Sequence, residues 1–472
     1  MAKQLTFIHA ADLHIGAPFR GLRNLSDAWA SRLSRAILEA YDRVVRAAID
    51  NEVDFIIIAG DIYDTARASY GDYQAFFAGL RKLDDAGIPA YLITGNHDPY
   101  TSWSKDFVRF PANTTMFAAD SASFALYERD GEPMCLLGGR SFYNQTWPED
   151  KDISEGITRE NAIAALQKQV LNPPQAAMSA ASRRSKRKDA QGFDREDGLD
   201  EGSRGAHVQR DATDARLRAI EQAPFAVGVL HTGLDQDFKA PVKPATLMNR
   251  GIDYWACGHV HKRQAWPSMD DPRVVFSGDI QGRDINEQGS RGCYLVTLRE
   301  GKRPALKFIP TASVVWQKIA VDVTGCESIS DITDLIQRKM FAVNGKAQCE
   351  EMCVRVTLTG ETRLHEKLSE PRVISDMCAE INGRFPVFFV DALIDATKLP
   401  LDRQALAAER LFPAALMSVA SEERDSADEL LEYLHAEFVN RGMEPPVRLR
   451  ENIASYVSEA EDAALDSLME QQ

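Results

Sequence analysis

Residues Gln4–His14 read QLTFIHAADLH, a short apolar run (Gln4–His9) that breaks directly into Asp12-Leu13-His14. The same arrangement recurs twice. Asp54–Ala59 (DFIIIA) runs into Gly60-Asp61-Ile62-Tyr63-Asp64, and Ala90–Thr94 (AYLIT) runs into Gly95-Asn96-His97-Asp98. Between the first two runs, Trp29, Leu33, Ile37, Tyr41, Val44 and Ala48 recur at three- or four-residue steps, so Ser26–Ile49 is predicted to be an amphipathic helix; a second helix is expected from about Tyr70 to Ala86. Strands alternating with helices predict an α/β domain, whose ligands gather at the carboxyl ends of the strands.

Met134–Gly138 reads as a further strand and Asn161–Val170 as a helix, after which 173–216 is rich in small and charged residues and nearly lacks large apolar ones. Such a segment buries too little surface to order itself, so it is expected to be a disordered insertion, and its SRRSKRKD run to be a solvated linker. Strand text resumes at Phe225–Leu230 and continues at Asp253–Cys257, Val274–Ser277 and Cys293–Leu298. From Gln317 the pattern changes to strand, helix (Ser330–Val343) and strand (Met352–Thr357), and from Leu401 it reads as helices. The expected organisation is a first domain over 1–312, a smaller α+β capping domain over 313–400 and an acidic helical tail over 401–472.

The formal charge of −15 is uneven, with −10 beyond residue 400 and −5 in residues 1–400. A phosphate-binding surface usually leaves a basic footprint. The near-neutral first 400 residues therefore permit nucleic acid binding without arguing for it. Seven scattered cysteines suit a reducing compartment better than a disulfide framework, and the C-x3-C pair Cys349/Cys353 has no second pair to complete a zinc site. No apolar run reaches about 18 residues and the N-terminus lacks a secretory layout, so a cytoplasmic location is expected.

Two later segments, Leu230-His231-Thr232 and Gly258-His259-Val260-His261, complete a set of five. Together they supply Asp12, His14, Asp61, Asn96, His231, His259 and His261, seven oxygen and nitrogen donors without a thiolate. A lone D-x-H or H-x-H is weak evidence. Five of the nine histidines falling in this ordered set is not. The mixture suits borderline divalent ions such as manganese, iron or zinc rather than calcium, and seven donors exceed the needs of one tetrahedral ion. Two ions about 4 Å apart, bridged by one carboxylate, would use them all.

In this order the segments resemble the calcineurin-like metallophosphoesterases, over roughly residues 5–265. His9–Leu22 (HAADLHIGAPFRGL) narrows the likeness to the SbcD and YhaO group of DNA-repair exonucleases, as do Gly278–Gly292 (GDIQGRDINEQGSRG) and Val354–Leu368, both read as lying outside the metal site. The resemblance implies a four-layer α-β-β-α sandwich followed by the capping domain and helices that contact an SbcC-like coiled-coil ATPase. It implies that Asp12, His14, Asp61 and His261 hold one ion and Asp61, Asn96, His231 and His259 the other, with Mn2+ the expected metal. His97 would assist the leaving 3′ oxygen as a general acid, with Asp98 orienting its ring. Eukaryotic and archaeal relatives often carry histidine where this chain has Asp64, so a role at that position does not transfer.

The function expected is metal-dependent hydrolysis of DNA phosphodiesters by a water that two metals activate, in a homodimer with no membrane attachment. No G-x4-GK[ST] loop is present, so any ATP dependence would come from the partner. Two alternatives stay open at this point. One is the same site acting on a small phosphodiester or a phosphoprotein, and the other is a non-catalytic, DNA-end-binding subunit of an ATPase complex.

Overall fold

The computed structural model describes residues 2–20, 26–103, 109–172, 201–235, 240–347, 350–400, 403–408, 412–425, 427–446 and 448–469. The alternation along the first strand, β1 (Gln4–Ala10), sets the layering: Leu5 and Phe7 face one way and Ile8 and Ala10 the other, and all four are fully buried. A strand buried on both faces needs helices on one side and something apolar on the other. Here that something is a second sheet.

The first sheet has the order β12 (Ala305–Pro310), β11 (Gly292–Arg299), β1, β2 (Phe55–Ala59), β3 (Ala90–Ile93), β4 (Thr114–Met116), and β1 to β4 run parallel. The second has the order β5 (Ser123–Arg129), β6 (Glu132–Gly139), β7 (Phe225–His231), β8 (Tyr254–Gly258), β10 (Asp271–Phe276), β9 (Gln264–Ser268), with β6, β7, β8 and β10 parallel. Phe7, Phe55 and Ile57 of the first sheet meet Leu137, Val227, Val229 and Tyr254 of the second in one buried cluster.

On the outer face of the first sheet lie α1 (Asp27–Asp50) and α2 (Tyr70–Asp85), through residues that include Ile37, Tyr41, Val44, Phe76 and Leu80. Their starts are fixed locally. Ser26 Oγ accepts from the Trp29 N–H, and Ser69 forms a reciprocal capping box with Asp72. On the outer face of the second sheet lie α3 (Arg159–Leu171), α4 (Glu201–Glu221) and α5 (Pro244–Met248), through Leu166, Ile220 and Leu247. The result is the four-layer α-β-β-α sandwich.

The helix α4 corrects the expected disordered insertion. Residues 173–200, with the SRRSKRKD run, lie outside the described residues, but 201–216 is helical. Thr213, Leu217 and Ile220 share a face at helical spacing, Ile220 is fully buried, and Gln167 Nε2 donates to the Leu217 carbonyl at 3.1 Å. Composition averaged over the whole insertion hides this short apolar stripe.

The chain divides into two compact units, Met1–Trp316 with Ala347–Glu351, and Gln317–Lys346 with Met352–Gln472. The second unit contains all but the first residues of β13 (Val314–Asp322) and β14 (Glu351–Glu361), which form a sheet with β15 (Phe388–Lys398), and with it α6 (Ile329–Ala347) up to Lys346, α7 (His365–Leu368) and α8 (Pro371–Arg384). The acidic helices belong to this unit too: α9 (Arg403–Ala408), α10 (Phe412–Asp425), α11 (Asp428–Asn440) and α12 (Leu449–Met469). The expected separation of tail from cap is bridged by charge. Glu461, almost fully buried, pairs with Arg403 and Arg424, and Asp462 pairs with Lys398 at the end of β15. Cys349 lies outside the described residues. Among the described residues no helix is long and apolar enough to cross a membrane.

Phe7 stacks on Phe55 at 4.9 Å and meets Tyr254 edge-on at 5.5 Å, fully buried between the sheets. Phe7→Ala is expected to cost about 3–5 kcal/mol of stability, read from the midpoint of urea denaturation. A loss below about 1 kcal/mol would be inconsistent with this packing.

Candidate metal centre

Five strands deliver the candidate residues. Asp12 and His14 follow β1, Asp61 follows β2, Asn96 and His97 follow β3, His231 ends β7, and His259 and His261 follow β8. Because β1, β2 and β3 are parallel in one sheet and β7 and β8 in the other, each set emerges at the carboxyl end of its own sheet, and the two sets meet.

The turn after each strand is held by its neighbour. The Asp12 N–H donates to Gly60 O at 3.1 Å, His14 N–H to Asp61 O at 2.9 Å, and Asp64 N–H to Ile15 O at 3.0 Å. Asp12, His14, Asp61 and His259 all have positive φ (51°, 47°, 48° and 100°), a conformation that costs L residues of this size about 1–3 kcal/mol each and gathers at functional sites. Close approach explains two of the flanking glycines. A Cβ at Gly258 would sit 2.0 Å from Ala59 O, and one at Gly95 would sit 2.1 Å from Asp61 Oδ1.

The side chains form two groups whose ligand atoms lie within 4.8 Å of one another: Asp12, His14 and His261, and Asp61, His231 and His259. His14 Nε2 and His261 Nε2 face each other at 3.1 Å. Asp61 Oδ2 lies between the groups, 3.4 Å from His231 Nε2 and 3.8 Å from His14 Nε2. Asn96 Oδ1 approaches His231 Nε2 at 3.2 Å, joining the second group. Asp12 takes the His259 N–H on both oxygens, at 2.9 and 3.1 Å. All seven predicted donors are therefore brought together.

Burial opposes ionisation here, and neighbouring charge decides the outcome. Burial raises the Asp61 carboxyl, but His231 and then His14 outweigh it and hold this group below the usual carboxylate range. Burial lowers His231, but Asp61 reverses this and brings it up to about 9. For His14 burial wins, and the ring stays well below its ordinary value despite Asp61. Buried carboxylates and imidazole nitrogens that converge in this way fit divalent cations, which supply the positive charge the carboxylates lack.

His97 sits apart from the ligand groups. It is exposed, its ring centroid is 5.0 Å from that of His14, and its N–H donates to Asp61 Oδ1 at 2.8 Å. The expectation for Asp98 is corrected. Its oxygens accept from the Gly95 N–H at 2.7 Å and the Ile62 N–H at 3.1 Å, so this buried carboxylate braces the Asn96–His97 turn against the Asp61 turn rather than orienting the His97 ring. His9 stays out of the site, as its place within β1 requires. It is buried beside the Tyr254 hydroxyl at 2.8 Å, and burial pulls its pKa down to about 3.

Sequence reasoning missed Glu287. Its Oε1 lies 2.6 Å from His261 Nδ1, so Gly278–Gly292 borders the centre instead of lying outside it. A signal was available, because this segment follows β10, a strand parallel to β8, and the rule of parallel strand ends applies to it too.

A family model described as calcineurin-like phosphoesterase matches residues 5–263, more than half of the chain. The chain belongs to the calcineurin-like phosphoesterases. A second model, the middle domain of metallophosphoesterase YhaO, matches residues 316–398. The metallophosphoesterase YhaO of Bacillus subtilis, itself uncharacterized, is 28% identical over 76% of this chain and 73% of its own length. The SbcD subunit of the nuclease SbcCD of Escherichia coli is 26% identical over 63% of this chain and 66% of its own. The DNA double-strand break repair protein Mre11 of Haloferax volcanii is 38% identical over 19% of each chain. This phosphoesterase is thus a homologue of YhaO and of the SbcD and Mre11 nucleases, in a family of hydrolases that bind divalent metal ions.

Asp98→Ala would leave the Gly95 and Ile62 amides buried without acceptors, at about 1–3 kcal/mol each. A lower melting temperature and weaker metal retention are expected, with Asp98→Asn between the two. An unchanged melting temperature for Asp98→Ala would contradict the bracing role.

Proposed function

We propose that this phosphoesterase is a DNA-repair exonuclease, hydrolysing DNA phosphodiesters with two divalent ions. The observation that carries the reading is the placing of Asp61 Oδ2 between two donor groups, with exposed His97 pinned beside them through Asp61 Oδ1. The SbcD and Mre11 names borne by its homologues favour DNA as the substrate.

In this reading Asp12, His14, Asp61 and His261 hold one ion, and Asp61, Asn96, His231 and His259 the other. Bound there, the pair, Mn2+ in our reading, would supply Lewis acidity at a phosphoryl group and would lower the pKa of water far below its bulk value. The protein contributes position. The cross-linked turns hold the donors before any ion arrives, so little reorganisation accompanies binding. His97 stabilises the scissile phosphate and delivers a proton to the leaving 3′ oxygen, which its exposure allows and its tethered backbone directs. DNA, an SbcC-like ATPase and a second copy of the chain are the proposed partners, in the cytoplasm, with the acidic helices α9 to α12 as the docking region for the ATPase.

End-labelled linear duplex and single-stranded DNA, incubated with Mn2+, Mg2+ or chelator, tests the reading beside a generic aryl phosphodiester and a panel of cyclic nucleotides. Metal-dependent shortening of DNA is expected, lost on chelation and in Asp61→Ala, and reduced about 10²–10⁴-fold in kcat by His97→Ala. Cleavage of the aryl ester or a cyclic nucleotide with DNA left intact, also when an SbcC-type partner is added, would keep the phosphoesterase and reject the nuclease. No turnover of any substrate would favour a binding subunit.

A further inference from the structure

His261 stands between two clusters. Its Nε2 faces His14 and the first donor group, while its Nδ1 faces Glu287 Oε1 at 2.6 Å, within a second acidic group of Asp279 and Glu287. Three of the four carboxylate oxygens of that second group are engaged, and Asp279 Oδ2 is buried without a hydrogen-bond partner. Asp279 Oδ1 accepts from Arg291 Nη1 at 2.5 Å, and Glu287 Oε2 takes the Arg283 N–H at 2.6 Å with the Arg283 guanidinium 3.6 Å from Oε1. Arg291 also donates to the His261 carbonyl, and a Cβ at Gly278 would come 2.7 Å from that same oxygen. Gly278–Gly292 therefore grips His261 at its backbone and at its ring.

We infer that Glu287 is a positioning residue for the ion on the Asp12, His14 and His261 side: by accepting the His261 Nδ1–H it fixes the tautomer that presents a lone pair on Nε2. A carboxylate behind a ligating imidazole also raises its basicity, and loss of such a partner typically weakens metal affinity about 10–100-fold. His231 in the other group is held differently, with Nδ1 3.0 Å from the backbone carbonyl of Ala59, a neutral acceptor. Glu287 therefore bears on the ion beside His261, and not on the one beside His231.

The inference rests on the two-ion reading, and the test separates them. Mn2+ is titrated into the full chain by calorimetry, with electron paramagnetic resonance to follow coupling between ions, for wild type, Glu287→Gln, Glu287→Ala, His261→Ala and the His261→Ala/Glu287→Gln double variant. Wild type should bind two ions. Glu287→Ala should weaken one of them about 10–100-fold and leave the other unchanged, with the coupled signal lost at limiting Mn2+, and Glu287→Gln should lose less because it keeps an acceptor. The double variant should bind no worse than His261→Ala, since Glu287 acts through that ring.

Two wild-type affinities in Glu287→Ala, or equal weakening of both ions with an unchanged melting temperature, would overturn the inference. So would further loss in the double variant. Fewer than two ions in wild type would instead remove the two-ion reading beneath it.

Discussion

The carboxylate of Asp61 is the point on which the site turns. One oxygen takes the backbone N–H of His97 and so fixes the third turn, while the other lies between His14 and His231 and so joins the two donor groups. It can do this because Gly60, in the left-handed region at φ 86°, bends the chain sharply at the end of β2, and Gly95 carries no Cβ to collide with it. Asp61 itself is left-handed, as are Asp12 and His14, so three of the donors on the first sheet's rim sit in a conformation their residue types disfavour. Cross-turn hydrogen bonds and full burial between two six-stranded sheets maintain it. Stability gathered in the sandwich is spent at its rim, and the rim is rigid as a result.

That rigidity bears on affinity. A donor set assembled from separate turns, each free to move, would lose conformational entropy when an ion bound. Here the backbone of every turn is already tied to another: Asp12 to Gly60, His14 to Asp61, His97 to Asp61, His259 to Asp12. Removing one tie loosens two turns, which is why Asp98, outside the donor set but linking Gly95 to Ile62, belongs to the same framework.

Much of this was legible in the sequence because β1, β2, β3, β7 and β8 are buried on both faces and so read as continuous apolar runs ending in polar turns. Strands lacking that signal were missed. Of these, β5 is only half-buried along nearly all its length, β9 is an edge strand with Pro267 inside it, and β12 alternates exposed and half-buried residues around Lys307. Glu287 was missed for another reason. It lies nine residues beyond Gly278 on an irregular loop, and no periodicity reports what such a loop folds back to touch. Asp98 shows the converse, since the family resemblance implied a partnership with the His97 ring, whereas its oxygens take the backbone amides of Gly95 and Ile62.

The acidity of the chain, −15 overall, sits less awkwardly with a phosphodiester substrate once the charge is placed. Two-thirds of the excess lies beyond residue 400, in the unit whose buried Glu461 and half-buried Asp462 are matched by Arg403, Arg424 and Lys398. At the centre the count is short. Asp12 and Asp61 are the carboxylates among the seven donors, and in the two-ion reading proposed above two divalent ions would outweigh that pair. In that reading the reacting phosphate would meet its positive charge at the ions themselves, so the acidity of the chain as a whole is no argument against a phosphorylated substrate.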